Sequence, residues 1–287
     1  MIPAGQGVPA GRDGPLPGGG YAAAMLVLLP PSEGKSDASP DGKGRHAPVD
    51  LGALSLPGLN AARQTVLDAL VTLCGENGPG PDKAREVLGL GPRQAGEVAK
   101  NAALRTAPAR PAGEVYTGVL YEALGLATLD EAARRRARDW LLVFSGLWGA
   151  LRITDRIPSY RCAAGVRLPG IGQVGRFWRE PMADVLPEAA GSGLVLDLRS
   201  SPYAAMWRPA GEVARRTVTV RVVTEAGKVV SHANKSVKGR LVRTLLESGA
   251  APRTPQALAE ALADLGFTVR RDEGTAAPGV LDVISGG

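Results

Sequence analysis

The chain has 287 residues, 44% of them hydrophobic and 22% charged, with a net charge of +6. That length and apolar fraction suffice for one large core, and they exclude a disordered or fibrous polymer. No apolar run approaches the roughly 18 residues that a membrane-spanning helix requires, so a soluble, cytoplasmic protein without a membrane partner is expected.

Residues 1–24 are rich in Gly and Pro and lack the Lys/Arg-led start of a secretion signal, so they read as a disordered extension. Met25-Leu-Val-Leu-Leu29 is a short apolar run halted by Pro30-Pro31. It predicts a buried strand whose end delivers Ser32-Glu33-Gly34-Lys35 to a loop. Helical spacing of Leu59, Val66, Leu70 and Leu73 predicts a helix over 58–73. Residues 82–104 read as two short helices joined by Gly89-Leu90-Gly91-Pro92, and 129–140 as a helix that starts near Asp130. Two further buried strands are expected over 141–144 and 194–198, each followed by a small polar turn that carries Ser145 or Ser200. The alternation through Val218, Val220 and Val222 predicts a strand within 212–224 that returns, after a Gly turn, at Val229-Val230. Helices over 234–246 and 254–265, an edge strand near 267–271 and a flexible tail over 274–287 complete the chain. The sum is an α+β fold, a single domain over 25–273 with a mixed sheet and no internal repeat.

The charge is segregated: residues 140–245 hold 16 Lys/Arg against 7 Asp/Glu, while the remainder is slightly acidic. A basic surface of this kind draws phosphate-bearing partners through long-range attraction and counterion release. Cys74 and Cys162 lack any CxxC or Cys/His spacing and read as reduced, partly buried thiols. His46 and His232 lie in no ligand-spaced cluster, so no metal site, His-based triad or required cofactor is expected.

The segment Val87-Leu-Gly-Leu-Gly-Pro-Arg-Gln-Ala95 resembles a helix-hairpin-helix turn. Gly89 and Gly91 permit a tight turn that can aim backbone amides at a DNA phosphate without reading sequence, with Arg93 beside them. An ordinary helix-loop-helix with a Gly cap fits the same residues. Leu168-Pro-Gly-Ile-Gly172 repeats the glycines without a preceding helix and reads as a loop.

Several segments in order, Leu28-Leu-Pro-Pro-Ser-Glu-Gly-Lys35, Tyr116-Thr-Gly-Val-Leu-Tyr121, Ser145-Gly-Leu-Trp-Gly-Ala-Leu-Arg152, Pro158-Ser-Tyr-Arg161, Leu198-Arg-Ser-Ser-Pro-Tyr203 and Lys235-Ser-Val-Lys-Gly-Arg240, resemble the YaaA family of peroxide-stress proteins. The resemblance spans about 25–250. It implies one α+β domain with a basic cleft, a helix-hairpin-helix element, duplex DNA binding with little sequence preference, and protection against peroxide by lowering available iron. This chain departs from the commoner pattern at Pro31-Ser-Glu-Gly-Lys35, where a Ser-Pro-Ala-Lys type of strand end is usual, and at Ser201-Pro202, where an acidic pair is often found.

Read as chemistry, the matched segments supply the cations Lys35, Arg152, Arg161, Lys235 and Lys238 and the hydroxyls of Ser145, Tyr160, Ser200 and Tyr203. An Arg fork, Lys point charges and hydroxyl donors together suit phosphate. The ligand is therefore expected to be DNA or a phosphate-bearing small molecule, bound by a monomer. The same set also suits an enzyme acting on a nucleotide- or nucleobase-like substrate, with a Lys or Tyr of lowered pKa as base or nucleophile. Its catalytic residues are not assignable from sequence.

Overall fold

Five consecutive apolar residues leave no polar face to turn to water, so a strand built from them must be covered on both faces, which parallel sheets provide. The computed structural model describes residues 25–37, 47–230, 234–271 and 279–284. Its strands of three or more described residues are β1 (Met25–Leu29), β2 (Leu141–Ser145), β3 (Gly149–Arg152), β4 (Leu194–Asp197), β5 (Thr217–Val223), β6 (Val269–Arg271) and β7 (Val280–Ile284). They form one seven-stranded sheet in the order β6-β7-β5-β4-β1-β2-β3. β1 lies between β2 and β4, parallel to both, and every residue of β1, β2 and β4 is buried. The parallel run continues through β5 to β7, while β3 and β6 are antiparallel edges. The expected α+β class and mixed sheet are thus present, around one contiguous apolar core.

Among the described residues, eight helices of six residues or more accompany this sheet: α1 (Asn60–Cys74), α2 (Pro81–Val87), α3 (Gly96–Ala102), α4 (Val119–Leu124), α5 (Glu131–Trp140), α6 (Arg179–Ala189), α7 (Asn234–Ser248) and α8 (Pro255–Asp264). Asp130 caps α5 and Thr254 caps α8, each accepting from a backbone N–H three residues on. None of the helices is long and apolar enough to cross a membrane among the described residues.

The helices α4 and α6 have no counterpart in the sequence expectation, and two strands differ from it. Residues 280–284 are the strand β7 rather than tail, because Leu281 and Val283 find the core while the backbone pairs with β5 from Thr219 to Val223. Residues 149–152 form the edge strand β3, whose carbonyls at Trp148 and Ala150 are covered by the buried Arg63 of α1 at 3.1 and 2.8 Å. That guanidinium blocks further strand addition. The expected extension over 1–24 lies outside the described residues, as do His46 and His232.

The α2–α3 connection is a Schellman-type stop. Gly89 has φ +66, its N–H reaches Glu86 O at 3.0 Å and the Leu90 N–H reaches Arg85 O at 3.0 Å. Gly91 is extended, at φ −73, and its N–H is taken by Gln94 Oε1 at 3.1 Å. All three amides of the turn therefore already have acceptors inside it.

Candidate functional site

The chain visits β1, crosses to β2 on one side, and later returns to β4 on the other. Open sheets of parallel strands leave a crevice beyond the carboxyl ends of the strands at such a switch. The loops after β1, β2 and β4 meet there, and they hold most of the residues singled out by sequence.

After β1 the backbone is pinned by the segment that follows. Lys35 forms an isolated antiparallel bridge with Tyr116, and the Ser36 N–H donates to Val115 O at 2.9 Å. The Tyr121 hydroxyl donates to Pro30 O at 2.7 Å. Lys35 is half-buried, its Nζ donating to Ser32 O at 2.8 Å and lying 4.4 Å from the Tyr160 ring centroid and 5.6 Å from that of Tyr116. Burial, reinforced by the neighbouring Arg161 guanidinium, brings its pKa down to about 8.

Beneath the amine runs a buried hydroxyl chain. Tyr116 and Tyr160 share a hydrogen bond of 2.9 Å, Tyr160 and Ser145 Oγ one of 2.6 Å, and Ser145 Oγ accepts the Trp148 N–H at 2.9 Å. Burial pushes both tyrosines well above their ordinary range, so the hydroxyls remain protonated at neutral pH. Tyr203 is raised to about 12 by burial and faces Cys162, Glu33 and Arg161. Burial also pushes the Cys162 thiol up to about 12, against the pull of Lys35. A thiol so protonated is a poor redox sensor.

Arg161 donates to Glu33 O at 2.9 Å and to Glu33 Oε2 at 3.1 Å, and the Glu33 side chain is 87% exposed. Its backbone is gripped by the fully buried Asn101 of α3, whose Oδ1 accepts the Arg161 N–H at 2.9 Å while Nδ2 donates to Arg161 O at 2.8 Å. The helix that follows the Gly89 turn therefore fixes a cation of the strand-end cluster. Lys238 of α7 approaches from the other side, donating to Leu198 O at 3.3 Å, with burial lowering its pKa.

Lys35, Arg161, Ser145, Tyr160, Tyr203 and Lys238 thus converge on the carboxyl ends of β1, β2 and β4. Arg152 does not. β3 runs back antiparallel to β2 and places Arg152 opposite Leu142, at the far end of the sheet, where its guanidinium donates to Asp139 O at 2.7 Å and Leu141 O at 3.4 Å. Lys235 is exposed on the first turn of α7, Ser200 is exposed ahead of the short turn Ser201–Ala204, and Arg93 is exposed on the hairpin. Arg199, between these motifs, is taken by Asp197 at 2.9 and 2.6 Å and lies over the Phe144 ring. No group of three or more metal-ligating side chains occurs among the described residues.

Sequence reasoning missed Tyr116, Glu33 and Asn101. Asn101 carried a signal, since it follows Val98 by three residues on the face that α3 buries, where an apolar residue is expected. A polar side chain on that face needs partners, and it found the Arg161 backbone.

These features define an α+β domain on an open, mixed, mostly parallel sheet with a cluster of cations and hydroxyls at its topological switch. The chain belongs to the family described as peroxide stress protein YaaA, whose model matches residues 25–273. It is 64% identical over 249 residues to a UPF0246 protein of Streptomyces coelicolor, covering 86% of this chain and 93% of that relative. A UPF0246 protein of Corynebacterium efficiens is 39% identical over 258 residues, covering 87% and 96% of the two chains. One of Corynebacterium glutamicum is 40% identical over 227 residues, covering 77% and 84%.

Proposed function

We propose that the strand-end cluster binds the phosphate of a nucleotide- or nucleobase-like small molecule, and that the protein serves peroxide stress through that ligand. The observation that carries this reading is the convergence of Lys35, Arg161 and Lys238 on the loops after β1 and β4, where they donate to Ser32 O, Glu33 O and Leu198 O. Arg161 Nη2 can pass to a phosphate oxygen when the Glu33 carboxylate swings away, an exchange that the exposure of Glu33 makes inexpensive, while Nη1 stays on the Glu33 main-chain O. Lys35 and Lys238 are both half-buried, which suits a small ligand entering between loops better than a duplex resting on protruding cations. The lowering of available iron that the family resemblance implies would then follow from what the ligand does in the cell.

A second reading, duplex DNA, is favoured by the grip of Asn101 on Arg161. A duplex lying along the α2–α3 turn would sit beside the cluster. Because the turn's amides are engaged internally, its contacts would fall to side chains such as Arg93.

Titration with nucleoside monophosphates, and separately with arbitrary duplex DNA, at about 50 and 200 mM salt discriminates the readings, since duplex affinity falls steeply over that range. Small-molecule binding is expected to saturate at both salts and to weaken by about 10- to 100-fold in Arg161→Ala, the worth of a charge-assisted hydrogen bond. Binding of duplex alone, with an unchanged small-ligand titration in the variant, would overturn the first reading.

A further inference from the structure

We propose that Lys35 is a nucleophilic amine that forms an imine with the carbonyl group of a phosphate-bearing aldehyde or ketone, while Arg161 holds the phosphate. The inference rests on the phosphate reading above and names the substrate class of the same site. Its geometric basis is a division of labour between two adjacent cations. Arg161 keeps Nη1 on the Glu33 main-chain O, while its Nη2 meets the exposed Glu33 carboxylate, which an incoming anion can displace. Lys35 is set deeper, against the faces of Tyr160 and Tyr116, with one N–H donated to Ser32 O. The ring faces of Tyr160 and Tyr116 favour the ammonium, but the burial of the amine and the positive charge of Arg161 outweigh them. Those are the two devices by which proteins generate a neutral, reactive lysine. With its pKa brought down to about 8, part of the Lys35 population carries a free lone pair near neutral pH.

The step balances without an oxidant or reductant. The neutral Nζ lone pair forms a C–N bond as the carbonyl π pair moves to oxygen, and a proton passes from nitrogen to that oxygen to give a carbinolamine. Protonation of its hydroxyl lets water leave as the nitrogen lone pair closes the C=N bond, and hydrolysis reverses the sequence. The Lys35 bond to Ser32 O orients the amine through one N–H while its lone pair is free to face the carbonyl.

The test is reductive trapping of the full chain with glyceraldehyde 3-phosphate and cyanoborohydride, followed by peptide mapping, with glyceraldehyde as the phosphate-free control. Expected is a modification concentrated on Lys35, about tenfold stronger for the phosphate-bearing aldehyde, as one charge-assisted phosphate contact would give. It is also expected to be suppressed by inorganic phosphate and to rise as pH passes through about 8. Lys35→Arg, checked for folding by circular dichroism, should lose this modification and no other, and the wild-type map is decisive even if that variant fails to fold. Labelling spread over the exposed lysines with no preference for Lys35 would overturn the imine. If inorganic phosphate still binds the unmodified protein in an Arg161-dependent way under that outcome, the phosphate reading stands and only the imine falls. Equal labelling of Lys35 by both aldehydes, without competition by phosphate, would overturn both.

Discussion

At the scale of single residues, the cluster makes opposite demands on Lys35 that pH can separate. An ionic contact requires the ammonium, which is present below about pH 8 and lost as pH rises through that value. Sulfate, whose own charge is fixed over that range, is therefore expected to bind more weakly at pH 9 than at pH 7 in a calorimetric titration. Lys35→Met should bind less tightly at pH 7 and show no such pH dependence. A wild-type titration that is flat with pH would detach Lys35 from the anion. Asn101→Leu keeps the volume of the side chain and removes both of its bonds to the Arg161 backbone, leaving a partly buried N–H and C=O without those partners at up to about 1–3 kcal/mol each. Chemical denaturation should register that loss, and sulfate affinity should fall with it because Arg161 is no longer held. Much of this site could be read from sequence, because Lys35, Ser145 and Tyr203 follow apolar runs that had to be buried strands. Arg152 was misplaced for a definite reason. The turn Gly146-Leu147-Trp148 reverses the chain within one motif, so two ends of a single sequence match point to opposite ends of the sheet.

At the scale of elements, the glycines decide which packings are possible. Gly239 of α7 crosses α4 so closely that a Cβ would strike Leu120 O and come within 2.8 Å of Ala123 Cβ. Replacing a mid-helix Gly by Ala ordinarily stabilises by up to about 1 kcal/mol, but overpacking costs about 1–3 kcal/mol. Gly239→Ala is therefore expected to lower the melting temperature, and a rise would mean that α4 and α7 can separate freely. The hairpin glycines are not equivalent. Gly89→Ala should cost roughly 1–2 kcal/mol for its left-handed backbone, whereas Gly91→Ala, already extended and in open space apart from Gln94 Oε1 at 3.9 Å, should be neutral within about 0.5 kcal/mol. Thermal denaturation of the pair checks this. Both helices of the hairpin, and α1, α5, α7 and α8, were legible from periodicity and caps. β3 was not, because Gly149-Ala-Leu-Arg152 is short and shows no alternation, and only the free edge of β2 makes it a strand.

At the scale of the whole molecule, a sheet must end its two edges without inviting another chain. The β3 edge is closed by Arg63, whose burial brings its pKa down to about 10 and leaves it charged at neutral pH. The other edge is built from the last part of the chain. β7 lies between β5 and β6, so among the described residues β6 has no other partner in the sheet and β7 alone covers the outer edge of β5. The family match stops at residue 273, and sequence periodicity alone left 274–287 as tail, yet Leu281 and Val283 are 2% and 1% exposed. Burying two such side chains contributes about 1.5–3 kcal/mol each, a large share of the roughly 5–15 kcal/mol by which domains are stable. A variant ending at residue 273 would lose that burial, release β6 and expose the β5 edge, on which Val220 and Val222 are buried by their neighbours. We expect it to melt well below the full chain and to aggregate with a rise in β-type scattering on heating. The strand-end cluster lies across β4 from this edge, so sulfate binding at low temperature should persist in whatever fraction remains folded. An unchanged melting temperature would show that β7 is dispensable, and that the sheet is held by β1, β2, β4 and β5 alone.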